Sequence, residues 1–334
     1  MVLGVALRDV LPGAAGPPAL PVGAMVELAA LADRNGYHSV WVPEGRGRES
    51  FSQLGAMAAV TQRVGLATGI LPVFSRPPAL AAMALATLDD LSRGRMILGV
   101  GTGHPAVSEL GYGQRFHAPT EAVREFVDIV RRAMRGERVR YAGRVFQVQD
   151  FALETAPPRV VPVYVAALRS RMLRLGGEIG DGVLLNWVPV ARARRAAAAV
   201  RDTARAAGRD PARISVACFV RACVTDRPAP ARDLLRRIIA TYAALPSYRE
   251  MWSRVGFAEE MRAVAAAPEP EAAPGAVSER MVDALGLIGP PETVRRGLEE
   301  FRRAGVDLPI VYPFSPEPGD RPYRETLVAL SPAG

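Results

Sequence analysis

The stretch TLDDLSRGRMILGVGTGHP, residues 87–105, decides how the rest of the chain is read. Leu85, Leu88 and Leu91 recur at helical spacing, and Ser92-Arg93-Gly94-Arg95 breaks that helix, with Gly94 free to take a positive φ. Met96-Ile97-Leu98-Gly99-Val100 is a short apolar run, as expected of a strand buried on both faces. Gly101-Thr102-Gly103 then exposes backbone N–H groups at the carboxyl end of that strand, the end at which α/β folds bind ligands. Glycines at 99, 101 and 103 do not make the GxGxxG of a dinucleotide fold.

Outward from this stretch, strand and helix patterns alternate. Strands are predicted at 4–7, 39–43, 64–71, 96–100, 162–166, 182–187, 214–224 and 308–312. Helices are predicted at 51–61, 78–91, 119–135, 191–207 and 290–304, after a first one marked by Met25, Leu28, Ala29 and Ala32. Gly36, Gly208 and Gly305 end helices just before strands. Eight short apolar strands, most followed by helices, indicate a (β/α)8 TIM barrel, with a doubly wound open sheet as the alternative. The 334 residues, 49% of them hydrophobic, are read as one barrel domain over 1–334 with ample core. Insertions are expected after strand four (104–160, with a hairpin over 138–149) and after strand seven (226–285). Both leave carboxyl ends of strands, so either is placed to cover a site. Residues 263–277, AVAAAPEPEAAPGAV, are low in core formers and read as mobile.

The inventory of side chains narrows the chemistry. The chain has no lysine, so its net charge of +8 is carried by arginine, and Schiff-base catalysis and a GxxxxGK[ST] phosphate loop are excluded. His38, His104 and His117 have no metal-ligand spacing with the two cysteines, and neither HExxH nor GxSxG occurs. Cys218 and Cys223 read as buried thiols in a reducing cytoplasm. The arginines form no block interleaved with aromatics, which argues against nucleic acid. No apolar run is long enough to span a membrane, and no signal peptide is recognisable at the N-terminus. What remains is borrowed chemistry, a cofactor held in the barrel mouth.

The opening stretch resembles the hallmark of the luciferase-like family of flavin- and deazaflavin-dependent oxidoreductases. That hallmark is an LD-LS-GR--LG-G-G run, here Leu88-Asp89, Leu91-Ser92, Gly94-Arg95, Leu98-Gly99, Gly101 and Gly103. The resemblance covers nearly the whole chain. It is nearest to the branch that uses coenzyme F420, on WVPEG (41–45), residues 67–95, GERVRYAGRVFQV (136–148) and residues 162–186. Flavin mononucleotide (FMN) monooxygenases share the second of these stretches and match the fourth less well.

The resemblance implies site residues. Glu44, at the end of strand two, would approach the polar edge of the cofactor ring; relatives often carry His after this acid, where this chain has Gly45. A non-proline cis peptide is implied at Gly69-Ile70, beside Thr68, under the middle of the ring. Gly101 and Gly103 would lie against the cofactor. Its phosphate would sit at the turn Ala166-Ala167-Leu168-Arg169 and near Gly176-Gly177. His104 is the first candidate for the catalytic proton donor, since an imidazole titrates near working pH. Asn186 and Trp187 are candidates for contact with substrate, Trp187 being equally readable as structural. Three functions stay open: hydride transfer between F420 and a small substrate, an FMN-dependent monooxygenase, and a non-catalytic cofactor-binding protein. The resemblance also implies a homodimer, through the apolar helices at 51–61 and 78–91.

Overall fold

The computed structural model describes residues 1–8, 17–45 and 47–333. In chain order its elements are β1 (Gly4–Ala6), α1 (Val22–Arg34), β2 (Ser39–Val42), α2 (Ser50–Val60), β3 (Gly65–Thr68), β4 (Leu71–Pro72), α3 (Pro78–Leu91), β5 (Met96–Gly101) and α4 (Pro119–Met134). The hairpin strands β6 (Val139–Ala142) and β7 (Gln147–Phe151) follow, then β8 (Val163–Ala166), α5 (Ser170–Ile179), β9 (Gly182–Asn186), α6 (Val190–Ala206) and β10 (Ser215–Val224). The last part holds α7 (Pro228–Ala243), α8 (Pro246–Trp252), α9 (Ala258–Ala265), α10 (Glu279–Leu285), β11 (Gly286–Gly289), α11 (Pro291–Arg303), β12 (Leu308–Pro313) and α12 (Arg321–Ala329).

The barrel strands pair in parallel in the order β1-β2-β3-β5-β8-β9-β10-β12, and β12 returns to β1 through Gly4 opposite Ile310. The sheet is therefore a closed (β/α)8 barrel, and the open doubly wound alternative is excluded. Side chains alternate across each strand. Val5, Val40, Leu66 and Leu98 face the helices, whereas Ala6, Trp41, Ala67, Ile97, Tyr164, Ala217 and Phe219 fill the barrel. Small and large residues interleave inside it. Trp41 meets Tyr164 and Phe219 edge-on, with ring centroids 5.3 and 6.2 Å apart.

The stretch 87–105 proves to be mainly a device of the fold. Arg93 and Gly94 both have positive φ, 55° and 80°, and turn the chain from α3 into β5. Arg95 folds back and donates to the carbonyls of Ser92, Val64 and Thr61 and to Thr61 Oγ1, at 2.7 to 3.0 Å. This motif ties α2, α3 and the start of β3 together at the amino end of the barrel, away from the mouth. Asp33 works beside it, accepting the N–H groups of Gln62, Arg63 and Val64 at 3.1, 2.8 and 2.6 Å.

The structure adds detail to three expectations. First, α4 packs between α3 and α5 as a member of the helix ring, so it is not insertion; only the loop from 104 to 118 stands over the mouth. Past the hairpin β6–β7, Arg159 packs on Gly94 at the amino end. Glu125 on α4 holds the hairpin turn by accepting from Arg144, Val145 and Phe146. Second, within residues 263–277, read as mobile, α9 runs to Ala265, a helical turn spans 273–276, and Val277 is buried in the core. Third, the strand expected at 64–71 is broken. β3 stops at Thr68, the Gly69–Ile70 peptide is cis, and β4 resumes pairing with β5. Helices α7 to α10 follow β10, and β11 then extends the sheet along the far end of that strand.

Candidate active site at the barrel mouth

Several of the residues singled out from sequence close different strands at one end of the barrel. Glu44 follows β2, and its carboxylate is enclosed, with 3% of the side chain exposed. It accepts from Arg76 Nη2 at 2.9 Å, and from the Ser50 amide and hydroxyl at 3.1 and 2.8 Å. It is thus an ion-paired carboxylate fastened to the start of α2. Together with Ser75, Arg76, Leu110, Gly111 and Tyr112 it lines a cavity of about 560 Å³. Tyr112 closes one side by donating to the Gly45 carbonyl at 3.1 Å.

Thr68 is buried, and its hydroxyl donates to the Gly99 carbonyl at 2.6 Å. That bond welds β3 to β5 just before the Gly69–Ile70 bond. The glycines of β5 answer to the same close approach. A Cβ at Gly99 would lie 2.0 Å from the Thr68 carbonyl oxygen, and one at Gly101 would lie 2.9 Å from Ala166 Cβ, with Ile70 also in contact. Gly103 has φ +67° and packs on Pro72. Of the candidate cofactor contacts Glu44, Gly69, Gly103 and Ala167, Glu44 lines the cavity just described.

Beyond β8, the Ala167 amide donates to the Leu184 carbonyl, and the Leu168 carbonyl accepts from Arg192. Arg169 precedes α5 and pairs with Glu250 on α8 at 2.6 Å, its side chain half exposed. Arg169, at the N-cap of α5, makes no side-chain cap hydrogen bond, so among the described residues no side chain caps the helix start. Gly176 and Gly177 lie in the second half of that helix. Added Cβ atoms there would strike Val183 and Thr203, so their visible role is close packing of α5 on β9 and α6.

The remaining polar residues form a cluster that the sequence reading largely missed. Asn186, at the end of β9, donates to the Tyr248 hydroxyl at 2.7 Å and accepts from Arg221 at 2.5 Å. Arg221 projects from β10 and is 4% exposed; its guanidinium lies between the rings of Trp187 (3.9 Å) and Tyr312 (4.2 Å). Arg8, just after β1, points Nη1 at the Tyr242 hydroxyl, 3.5 Å away, and Nη2 toward Gly45. Trp187 is buried in the left-handed region at φ +56°, an unusual conformation for a bulky residue, and its carbonyl accepts from Trp252 at 2.9 Å. Tyr242, Tyr248 and Trp252 come from α7 and α8, so the second insertion forms the roof of this cluster. The local signal that could have exposed it was Arg221 itself, a charged residue in an otherwise apolar strand.

His104 follows the glycine loop, its ring 6.1 Å from that of Tyr248. Burial, and then the nearby Arg8 charge, hold its pKa below the usual 6.5. The imidazole is therefore neutral at neutral pH and suited to accept a proton. Tyr242 is shifted the other way from most buried phenols: burial works to raise its pKa, but the Arg8 and Arg221 guanidiniums outweigh it and lower it. Burial raises Tyr248 and Tyr312. His38 lies at the amino end of β2 against Ser39, away from the mouth, and His117 is half-buried, its ring 6.4 Å from that of Phe74. Cys218 and Cys223 are free and buried, with thiols pushed up to about 12 by burial.

Comparison with known proteins agrees with this architecture. The chain is 28% identical over 298 residues to the 5,10-methylenetetrahydromethanopterin reductase of Methanolobus tindarius, covering 86% of this chain and 90% of that one. It superposes on the coenzyme F420-dependent tetrahydromethanopterin reductase of Methanopyrus kandleri with a TM-score of 0.83 at 25% identity, over 99% and 97% of the two chains. The oxygenating component of the 3,6-diketocamphane monooxygenase of Pseudomonas putida, in complex with FMN, shares the fold with a TM-score of 0.73 at 19% identity, over 99% and 98%. Residues 1–308 match the luciferase-like monooxygenase family. The chain therefore belongs to that family, whose members are oxidoreductases and monooxygenases that use F420 or FMN.

Proposed function

We propose that this protein transfers a hydride between coenzyme F420 and a small organic substrate bound at the barrel mouth. The observation that carries this reading is the end-to-end agreement with the F420-dependent reductase of Methanopyrus kandleri. The residues at the mouth fit such a group. The cavity bordered by Glu44 has the volume of a cofactor pocket. Gly45, Gly47 and Gly111 keep it open, and Ser108 Oγ is buried near Val107 of its lining with no hydrogen-bond partner among the described residues. The uncapped start of α5 suits a phosphate.

When bound, the deazaflavin supplies or accepts the hydride. The chain's own part is positioning, exclusion of water and movement of a proton. Glu44, locked by Arg76 and Ser50, and the backbone at Gly69-Ile70, Gly101 and Gly103 would hold the ring system. The turn Ala166 to Arg169 would receive the phosphate, Arg169 exchanging its contact with Glu250. Gly176 and Gly177 would contribute by letting α5 pack close to β9 and α6. The roof of α7 and α8 sheds water from the mouth. His104, neutral at rest, takes the proton of a substrate hydroxyl or amine as hydride leaves, and returns it in the reverse direction. Asn186 and Trp187 would contact the substrate.

Titration of the purified chain with F420 and with FMN tests this reading. Micromolar binding of F420 is the expected result; binding of FMN alone would replace it with the monooxygenase reading. That second reading is favoured by the FMN-bound relative and by the enclosing insertion, since oxygen chemistry on a reduced flavin needs a shielded mouth.

A further inference from the structure

We propose that Arg8 and Arg221 form a subsite for a carboxylate, or an equivalent oxyanion, carried by the substrate. This inference rests on the assignment of the barrel mouth as the active site. Two guanidiniums, Arg221 buried and Arg8 half-buried, lie on the side of the mouth formed by β1, β10 and β12; burial first, and then the Arg8 charge, lower the pKa of Arg221. Among the described residues, neither is paired with a carboxylate. Glu44, on the neighbouring loop, is already committed to Arg76 and Ser50. Their side-chain hydrogen-bond partners are the hydroxyls of Tyr242 and Tyr312 for Arg8 and Asn186 Oδ1 for Arg221, none of them a carboxylate.

Buried cations without counter-charges are costly, and proteins ordinarily pair them. Here aromatic faces do the holding instead. Trp187 and Tyr312 sandwich the Arg221 plane and leave its edge for in-plane hydrogen bonds. A carboxylate accepts two such bonds side by side, which is the geometry a guanidinium fork recognises. The same two charges lower the Tyr242 pKa, so this phenol already responds to the positive field that an anionic ligand would meet. His104 is joined to the subsite through Tyr248 and Asn186. A substrate anchored by its anionic end at the arginines would thus present its reacting carbon toward His104. The cavity beside Glu44, on the loops after β2, β3 and β5, is left for the cofactor.

Benzoate, acetate and inorganic phosphate are the probes, titrated into the purified chain and followed by calorimetry and by the fluorescence of Trp187 against a Trp187→Phe control. Saturable binding is expected, weakened at least ~10-fold in Arg8→Gln and in Arg221→Gln, the size of a lost charge-assisted pair. Arg8→Gln keeps the test decisive if the more deeply buried Arg221→Gln does not fold. Repeating the titration with F420 present separates the sources of anion. Simultaneous binding with little change in affinity supports a substrate subsite. Displacement of the carboxylate by F420 assigns the arginines to the cofactor and overturns the proposal, as does wild-type affinity in the folded variants. Absence of F420 binding with carboxylate binding intact would overturn the cofactor reading and leave the subsite standing.

Discussion

At the scale of single residues, two side chains make opposite use of burial. His104 is held neutral by desolvation and by Arg8. In the direction of substrate oxidation the neutral form is the competent one. The rate should therefore stay level through neutral pH and fall only as pH drops below the depressed value, which lies under 6.5. An inflection above 6.5 would remove His104 from the proton path. His104→Gln should lower turnover by ~100-fold with F420 affinity unchanged. Weaker F420 binding with normal turnover at saturation would move the residue to the cofactor site. Asp33 has the reverse sign. Burial works to raise its pKa, but three backbone N–H donors and Arg63 bring it below the ordinary carboxylate value. Its contribution to stability is complete above the unfolded value near 3.9 and is lost as pH falls through the lower folded value. Asp33→Ala should cost about 2 kcal/mol at pH 7, read from denaturant unfolding, and the difference from the parent should shrink in strong acid.

At the scale of elements, the site depends on strands that approach more closely than any side chain allows. β3 and β5 meet at Gly99 and Thr68, where an added methyl would fall inside the Thr68 carbonyl oxygen's contact distance. Gly99→Ala should destabilise by about 2–3 kcal/mol, as overpacking of a tight core does, and should disturb the neighbouring Gly69–Ile70 turn. Gly23 in α1 is the control, because a Cβ there meets nothing within 4 Å. Gly23→Ala should be neutral or stabilising by up to ~1 kcal/mol, so a loss of stability in this variant on thermal melting would invalidate the comparison.

At the scale of the whole molecule, one helix face is left without cover. Leu80, Met83 and Leu91 recur along α3 and are 51, 49 and 50% exposed; Val60 at the end of α2 is 46% exposed. We propose that this face pairs with a second copy of the chain, as the apolar pattern of α2 and α3 predicts. Light scattering should give a dimer at micromolar concentration, and Leu80→Glu with Met83→Glu should give a folded monomer. A monomeric parent would reject the pairing and leave these side chains as exposed apolar surface. Among the described residues no helix is long and apolar enough to cross a membrane.

The sequence alone determined what depends on neighbours along the chain. Apolar runs and their spacing located the barrel strands, because side-chain alternation and strand length are local consequences of burial on two faces. The run Leu88 to Gly103 carried the family because its turn needs a residue with positive φ at Gly94 and small residues where strands touch. Local pattern also misled. Helix α4 looked like part of an insertion because its interval from β5 is long, and only its packing between α3 and α5 returns it to the ring. What tertiary structure decided is which polar groups meet. Arg8 and Tyr242 stand 234 positions apart, and nothing in the run of residues around either announces the other. Glu44 was legible as an acid at the end of a strand, but its enclosure by Arg76 and Ser50 depends on residues that only the fold brings to it. Closure of the barrel brings the carboxyl ends of β1, β10 and β12 together under the roof of α7 and α8. A pKa, a buried unpaired charge or a stacked guanidinium is a property of that convergence, since each depends on solvent excluded by segments remote in sequence.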